Sequence, residues 1–451
     1  MPYPEEYASY APLRRLVTNE RVRELIQHYE VRVGHIEEAL PSLVSLTDLD
    51  YGGWAPDYLI ALDGSYVPVQ LRNGYPGAEM ACLTIASVLL DMQRIGTIDA
   101  ARPVDPVQFR LAHGSESIDC ALPGSNVVLD DDATADASVR RVVYDVMSSA
   151  QMSQGQETLL DTYEALLAYK PTSHAQTCPY DDCQEATKSY LRGSKLYECP
   201  CALRRRLHST DALRFTEGMN EGGGNGAMYA EIMQVLERLW VVHMLRTFVA
   251  NGWAASLGRL AIILDGPLAV FGHPAWLGPA IEKELIRINE FVVRQTGRAL
   301  MLMGIEKSGP FVEHFTLLDQ HEGGSLGRFP RQSAFLIDDA YIKRNIVPSQ
   351  SSKQYGQDTY FGRKVYYKNA AGARLVVVLP FLAPDHSHLS RAEAPQFPRL
   401  ADTLHLLDRL FSSRYENAVA ALVAAHAAAA IPRHMGQQVF ERLARELMGT
   451  A

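Results

Sequence analysis

The stretch LAIILDGPL, residues 260–268, closes a run of apolar residues with Asp265, Gly266 and Pro267. Some two hundred residues earlier YLIALDGSY, residues 58–66, sets Asp63 and Gly64 behind a similar run. An apolar run too short for an independent helix and closed by Gly-Pro fits a strand buried on both faces. Each aspartate then stands at a strand end, where a carboxylate can reach a cleft. Asp-Gly is also an ordinary turn signal, because Asp bonds its own backbone and Gly supplies positive φ. Two such endings leave both readings open, a plain turn and a carboxylate site for metal-assisted phosphoryl chemistry. The surrounding sequence has to decide.

A chain of 451 residues can bury a large core and hold two or three domains, or one elaborated α/β domain with insertions. Its net charge of −9 argues against a protein that coats nucleic acid through a uniformly basic surface. It does not argue against a nuclease, whose metal-holding carboxylates are themselves local negative charge. Much of the acid lies at residues 105–164, including Asp130, Asp131 and Asp132, which reads as a solvated insertion. The opening MPYPEEYASY lacks a basic segment followed by an apolar one. The apolar run AVAALVAAHAAAAI, residues 418–431, is Ala-rich, carries His426 and is too short to span a bilayer. The expectation is a cytoplasmic protein with no membrane contact.

Apolar residues at helical spacing predict an amphipathic helix over 18–40. Strand-like runs follow at 59–63, 66–71 and 80–90, joined by short Gly-containing connections that suggest an antiparallel meander. Helices are expected at 157–169, at 228–250 behind the glycine-rich NEGGGNG, and at 279–295. Strands are expected at 260–265 and 299–305, and RKVYYKN-AAGA-RLVVVLPF within 335–382 reads as a hairpin. Helices broken at Pro432 close the chain. Three hairpin-like strands, a helix, a strand, a helix and a strand is the element order of the RNase H-like fold, an α/β mixed sheet flanked by helices. In that fold the first strand carries an aspartate at the centre of the sheet and the fourth ends beside it. The two LDG motifs fall at those places. The division expected is an N-terminal helical region (1–50), a first part of the nuclease-like domain (51–102), an insertion (103–225) with a cysteine module at 177–206, and a second part with C-terminal helices (226–451).

In LIALDGSY, LAIILDGPL, the strand-then-lysine MLMGIEKSG and the late helix AVAALVAAH, taken in this order, the chain resembles the NurA nuclease family. These are RNase H-like DNA-end-processing nucleases that work with a HerA-type hexameric ATPase. The resemblance covers roughly 55–90 and 226–430. It implies that Asp63 is the central metal ligand and Asp265 the second carboxylate, with a glutamate on the preceding helix. Glu237, mid-helix in VLERLW, is the first choice and Glu231 the alternative, against Glu237 as a surface carboxylate paired with Arg238 or its turn neighbours. Hard oxygen ligands favour Mn²⁺ or Mg²⁺. Lys307 would neutralise a scissile-phosphate oxygen as a compact point charge, and His426 would bind metal or protonate the leaving oxygen. Tyr415 is a weaker candidate. The resemblance further implies DNA as substrate, a homodimer and docking on the ATPase ring.

Outside that pattern, Cys178 and Cys183 in CPYDDC precede Cys199 and Cys201 in CPC, giving C-x4-C-x15-C-x-C. Four thiols in two close pairs suit a tetrahedral structural Zn²⁺ in a chain read as cytoplasmic. The basic run LRRRLH at 203–208 either touches DNA or is a solvated charge run. YFGRKVYYK at 360–368 is expected to guide a strand by stacking and charge through Arg363 and Lys364, or to be a plain exposed hairpin.

Overall fold

The computed structural model describes residues 9–31, 42–71, 76–93, 113–130, 132–170, 178–180, 183, 195–201, 203–321, 324–385, 390–411, 417, 419–432, 438–443 and 446. In chain order, helices α1 (Ala11–Thr18) and α2 (Glu20–Gln27) precede strands β1 (Val44–Ser45), β2 (Tyr58–Gln70), β3 (Glu79–Asp91) and β4 (His113–Pro123). Helices α3 (Ala135–Ser149) and α4 (Leu159–Leu167) and the small hairpin β5 (Leu196–Glu198) and β6 (Arg206–His208) follow. Next come α5 (Gly226–Ala250), α6 (Ala254–Leu257), β7 (Leu260–Asp265), α7 (Leu277–Thr296), β8 (Met301–Glu306) and α8 (Pro310–Leu318). The chain continues through β9 (Ser333–Leu336), α9 (Asp339–Asn345), β10 (Gly362–Lys368), β11 (Arg374–Pro380), α10 (Leu400–Arg409) and α11 (Ala420–Ala429).

Among the described residues the main sheet runs β1-β9-β10-β11-β8-β7-β2-β3-β4. β2, β3 and β4 form an antiparallel meander, and β7 and β8 lie parallel to β2. The order β4-β3-β2-β7-β8 with these directions is the RNase H-like arrangement, extended on the β8 side by β11, β10, β9 and β1.

Residues on alternate sides of each strand enter two separate cores, as the period of two requires. Ile60, Leu62, Ile262, Leu264 and Leu302 pack on one face with α4, α5 and α7. Leu59, Ala61, Ala261, Ile263, Met303 and Ile305 pack on the other with α10 and α11. Helix α5 is buried through most of its length, which is why its sequence is apolar nearly all round.

The structure differs from the sequence reading at three elements. The runs at 59–63 and 66–71 are one strand: β2 continues through Asp63 and Gly64, which pair with Ala86 and Ile85 of β3. The third meander strand is β4, inside the segment 103–225 that the sequence set apart as an insertion, and it pairs with β3 along Met80–Leu90. Of the long helix expected over 18–40, α2 forms only Glu20–Gln27: Asn19 caps its start by accepting from the Val22 backbone N–H, and residues 28–31 leave the helix. Residues 32–41 fall outside the described residues. No helix among those described is long and apolar enough to cross a membrane.

A buried amide fixes the start of β8. Asn289 on α7 accepts from the Leu300 backbone N–H (2.9 Å) and donates to the Leu382 carbonyl (3.0 Å). Asn289→Ala would leave both backbone groups without that partner, at about 1–3 kcal/mol for each buried group left unsatisfied. The urea midpoint should fall by a corresponding amount with the m-value unchanged.

Candidate active site

Strand register brings the two aspartates together. β2 and β7 are parallel and their last paired residues are Leu62 and Leu264, so Asp63 and Asp265 stand side by side one position further on. Both continue the odd-numbered face of their strands, the face covered by α11. Lys307 does the same just past the end of β8, two positions beyond Ile305, which pairs with Asp265. Its Nζ lies 2.5 Å from Asp265 Oδ2.

Helix α11 closes the site from above that face. Ala421, Ala425 and Ala429 are buried at four-residue spacing beside Leu422, and their small side chains let the helix backbone approach the sheet. His426 sits one turn after Leu422 at the exposed margin, and its Nδ1 is 2.7 Å from Asp63 Oδ2. Ligand atoms of Asp63, Asp265 and His426 all lie within 4.8 Å of one another. Such a set of two carboxylates and an imidazole could hold a hard divalent cation. Burial, and then the adjoining Asp265 carboxylate, raise Asp63 above the ordinary carboxylate value, against the opposing pull of His426 and Lys307.

Glu237 approaches from the other face. It is 3% exposed, on α5, and its carboxylate reaches the gap left by Gly64, where a Cβ would collide with Glu237 Oε1 and crowd Met233. Gly64 is therefore a glycine for close approach within a continuous strand. Gly266, at φ +98°, is one for the turn that ends β7. The two Asp-Gly pairs thus differ, one inside a strand and one at its end. Glu231, the alternative, points elsewhere: its Oε1 accepts from the His273 backbone N–H at 2.6 Å.

Sequence reasoning treated Arg238 only as a surface partner. It is 3% exposed and donates to the Glu237 carboxylate, to the Gln234 carbonyl (3.3 Å) and to the Pro267 carbonyl (3.1 Å). A single side chain so ties α5 to the turn that carries Asp265. The available signal was the charged pair Glu-Arg inside the apolar VLERLW. Burial lowers the Arg238 guanidinium from its usual value, opposed by Glu237, Asp265 and Asp63.

The basic hairpin is corrected. Every residue of β10 is buried, so Arg363 and Lys364 (3% and 4% exposed) do not face a nucleic-acid strand. The Lys364 Nζ lies 2.8 Å from Glu306 and 3.5 Å from the centre of the Phe311 ring. β10 lies inside the sheet, between β9 and β11, and its two faces enter separate cores, Val365 and Tyr367 one and Tyr366 the other. Tyr415 lies outside the described residues.

Thiols of Cys178, Cys183 and Cys199 come within 4.8 Å of one another, with Cys183 Sγ 3.5 Å from Cys199 Sγ, and could hold a metal ion. Cys201, in the turn after Cys199 on the β5–β6 hairpin, does not join that group.

The chain is similar to NurA nucleases of known structure. Against the NurA nuclease from Sulfolobus solfataricus the identity is 9% over 98% of both chains, with a TM-score of 0.37. Against a second NurA structure it is 10% over 98% of both, with a TM-score of 0.27. No protein-family profile and no curated protein matches the chain.

The buried Glu237 has a measurable consequence. Burial pushes it up to about 7, with Asp63 and Asp265 adding to the rise and Arg238 opposing it. Between its ordinary 4.5 and about 7 the folded carboxyl keeps its proton while the unfolded one releases it. The unfolded state then binds fewer protons, and stability falls as pH rises through that window. In chelator, a urea-midpoint series should show this decline in the wild type and a shallower one in Glu237→Gln.

Proposed function

We propose that the protein is a divalent-metal-dependent DNA nuclease of the NurA type. The observation that carries this reading is the convergence of Asp63, Asp265 and His426 within 4.8 Å at the centre of an RNase H-like sheet, with Lys307 on Asp265 and Glu237 behind Gly64.

Asp63, Asp265 and His426 would hold Mn²⁺ or Mg²⁺, and Glu237 would join them from the opposite face or bind through water. The cation, when bound, stabilises charge on the non-bridging and leaving oxygens of a phosphodiester and activates a water. Lys307, already beside Asp265, sets a point charge where a phosphate oxygen would lie. His426, whose Nδ1 is directed at Asp63, would serve as the nitrogen ligand of the cation or, where the carboxylates alone hold the cation, would protonate the leaving oxygen. The buried Arg238 balances the excess carboxylate without entering the cleft.

The cysteine group is read as a structural Zn²⁺ site of Cys178, Cys183 and Cys199, with Cys201 drawn in as the fourth thiolate. Sulfur donors in close pairs favour zinc over the hard cations of the catalytic site. Metal analysis of reductively purified protein should give about one zinc per chain, lost in Cys199→Ser. Wild type without zinc would remove this assignment and leave the nuclease reading standing.

The chain's net charge of −9 supports a partner that brings DNA to the site. The reading includes a homodimer docked on a HerA-type ATPase ring. Asp63→Asn and Asp265→Asn should each abolish Mn²⁺- or Mg²⁺-dependent DNA cleavage with the circular dichroism spectrum unchanged. At about 150 mM salt, ionic conditions close to physiological, duplex degradation by the wild type should rise when the ATPase and ATP are added. Unchanged cleavage by either variant would refute the site, and strong digestion by the isolated chain would refute the dependence on a partner.

A further inference from the structure

Lys364 is a buried cation that neither the carboxylate site nor the cysteine group uses. It stands in β10, 4% exposed, with Nζ 2.8 Å from Glu306 Oε1 and 3.0 Å from Oε2. Three aromatic rings lie near the same nitrogen, with centres at 3.5 Å for Phe311, 5.0 Å for Tyr360 and 5.8 Å for Tyr355. An ammonium over ring faces at such distances is attracted by their negative centres.

The partners of Lys364 belong to the two segments that meet at Asp265. Glu306 is the last residue of β8, immediately before Lys307, and Phe311 lies in the first turn of α8, just after it. Tyr360 bridges to Ala269 on the loop that leaves Asp265. That bridge is flanked by hydrogen bonds from Val270 N to the Thr359 carbonyl (2.9 Å) and from Phe361 N to the Leu268 carbonyl (3.0 Å). One side chain therefore touches both sides of the Lys307 turn and the segment joined to the Asp265 loop.

Lys307 needs such a hold. The last pairs that β8 makes are Ile305 with Asp265 and Glu306 with Val376, so the backbone at Lys307 has left the sheet. Its side chain is 39% exposed, yet its Nζ lies 2.5 Å from Asp265 Oδ2. Keeping a long side chain in one direction costs entropy, and the cost falls when the backbone beneath it is already fixed.

A buried ion pair is a poor way to gain stability. Apolar side chains of the same volume commonly do as well or better, because two charges leave water to make the pair. What the pair supplies is direction. Successive residues of a strand point to opposite faces, so Glu306 drawn to Lys364 turns the next position, Lys307, to the face of the aspartates. We infer that Lys364 is a positioning residue for Lys307: gripping Glu306 and Phe311 on one side and Tyr360 on the other, it fixes the end of β8 against the Asp265 loop. This deepens the nuclease reading and rests on it for the use made of Lys307.

The test uses the full-length protein in EDTA and needs no cleavage. Brief acetylation with an N-hydroxysuccinimide ester is followed by peptide mass spectrometry, which reads each lysine separately. Glu306→Met/Lys364→Met replaces the pair by apolar side chains of similar length, and its urea midpoint should hold or rise. In it Lys307 should be acetylated about threefold faster than in the wild type, the scale on which an exposed ion pair protects an amine. The exposed Lys283 and Lys353 should keep their rates. Glu306→Asp, one methylene shorter, should move Lys307 in the same direction, so the result does not hang on the apolar pair folding. With Mn²⁺ restored, kcat for DNA cleavage should fall about tenfold in the double variant with KM unchanged, the mark of a misplaced group that acts in the transition state. That fall should vanish in a Lys307→Ala background, where there is no ammonium left to misplace. Wild-type acetylation of Lys307 in both variants, a rise shared by Lys283 and Lys353, or an undiminished loss on top of Lys307→Ala would each overturn the proposal. A wild type that cuts no DNA would refute the nuclease reading and leave the acetylation to decide the positioning.

Discussion

Two carboxylates forced side by side organise this protein. Asp63 and Asp265 end up adjacent because β2 and β7 are parallel and in register through Leu62 and Leu264. Like charges about 4 Å apart repel by about 4 kcal/mol at an effective dielectric of about 20. The fold answers with opposite charge from several directions. Lys307 contacts Asp265 and His426 contacts Asp63. Behind them Arg238 donates to Glu237 and opposes the rise that burial imposes on its carboxyl. Asp63, Asp265 and His426 keep ligand atoms within 4.8 Å of one another, a set that could hold a metal ion.

Close approach makes this concentration of charge possible, and it depends on small residues. Gly64 leaves room for the Glu237 carboxylate to come through from the opposite face of the sheet. The buried Ala421, Ala425 and Ala429 let α11 lie near enough for an imidazole to reach a strand-borne aspartate. Larger side chains at these places would keep the sheet intact and pull the site apart. Packing volume and charge placement are therefore set by the same few positions.

The segment between β4 and α5 adds a second element to this frame. Helices α3 and α4 share the core of α5 and α7, so the segment is part of the packed body of the protein. The loop from Asp265 to α7 is pinned on Glu231 and Gln234 of α5, and its residues His273, Ala275 and Trp276 line a cleft with α3 and the start of α7.

The sequence determined much of this arrangement by itself. Apolar runs and turn residues located α5, β7, α7, β8 and the β10–β11 hairpin, because those elements are regular and bounded by glycine or proline, whereas the shorter α8 and α9 went unread. The two LDG motifs, the lysine after β8 and the histidine in an alanine helix were legible as departures from surrounding apolar pattern. Tertiary structure decided the rest. Asp-Gly looks the same in a strand as at its end, so only the pairing of Asp63 and Gly64 with β3 showed that β2 runs on. Periodicity hid β4, whose outer face is polar and exposed, and placed Arg363 and Lys364 at a surface, whereas β10 is buried on both faces. Which glutamate faces the aspartates, and that Arg238 stands behind it, followed from the rotation of α5 against the sheet. A sequence records that a helix is apolar all round; the direction in which each of its rare charges points is fixed only by what packs against it.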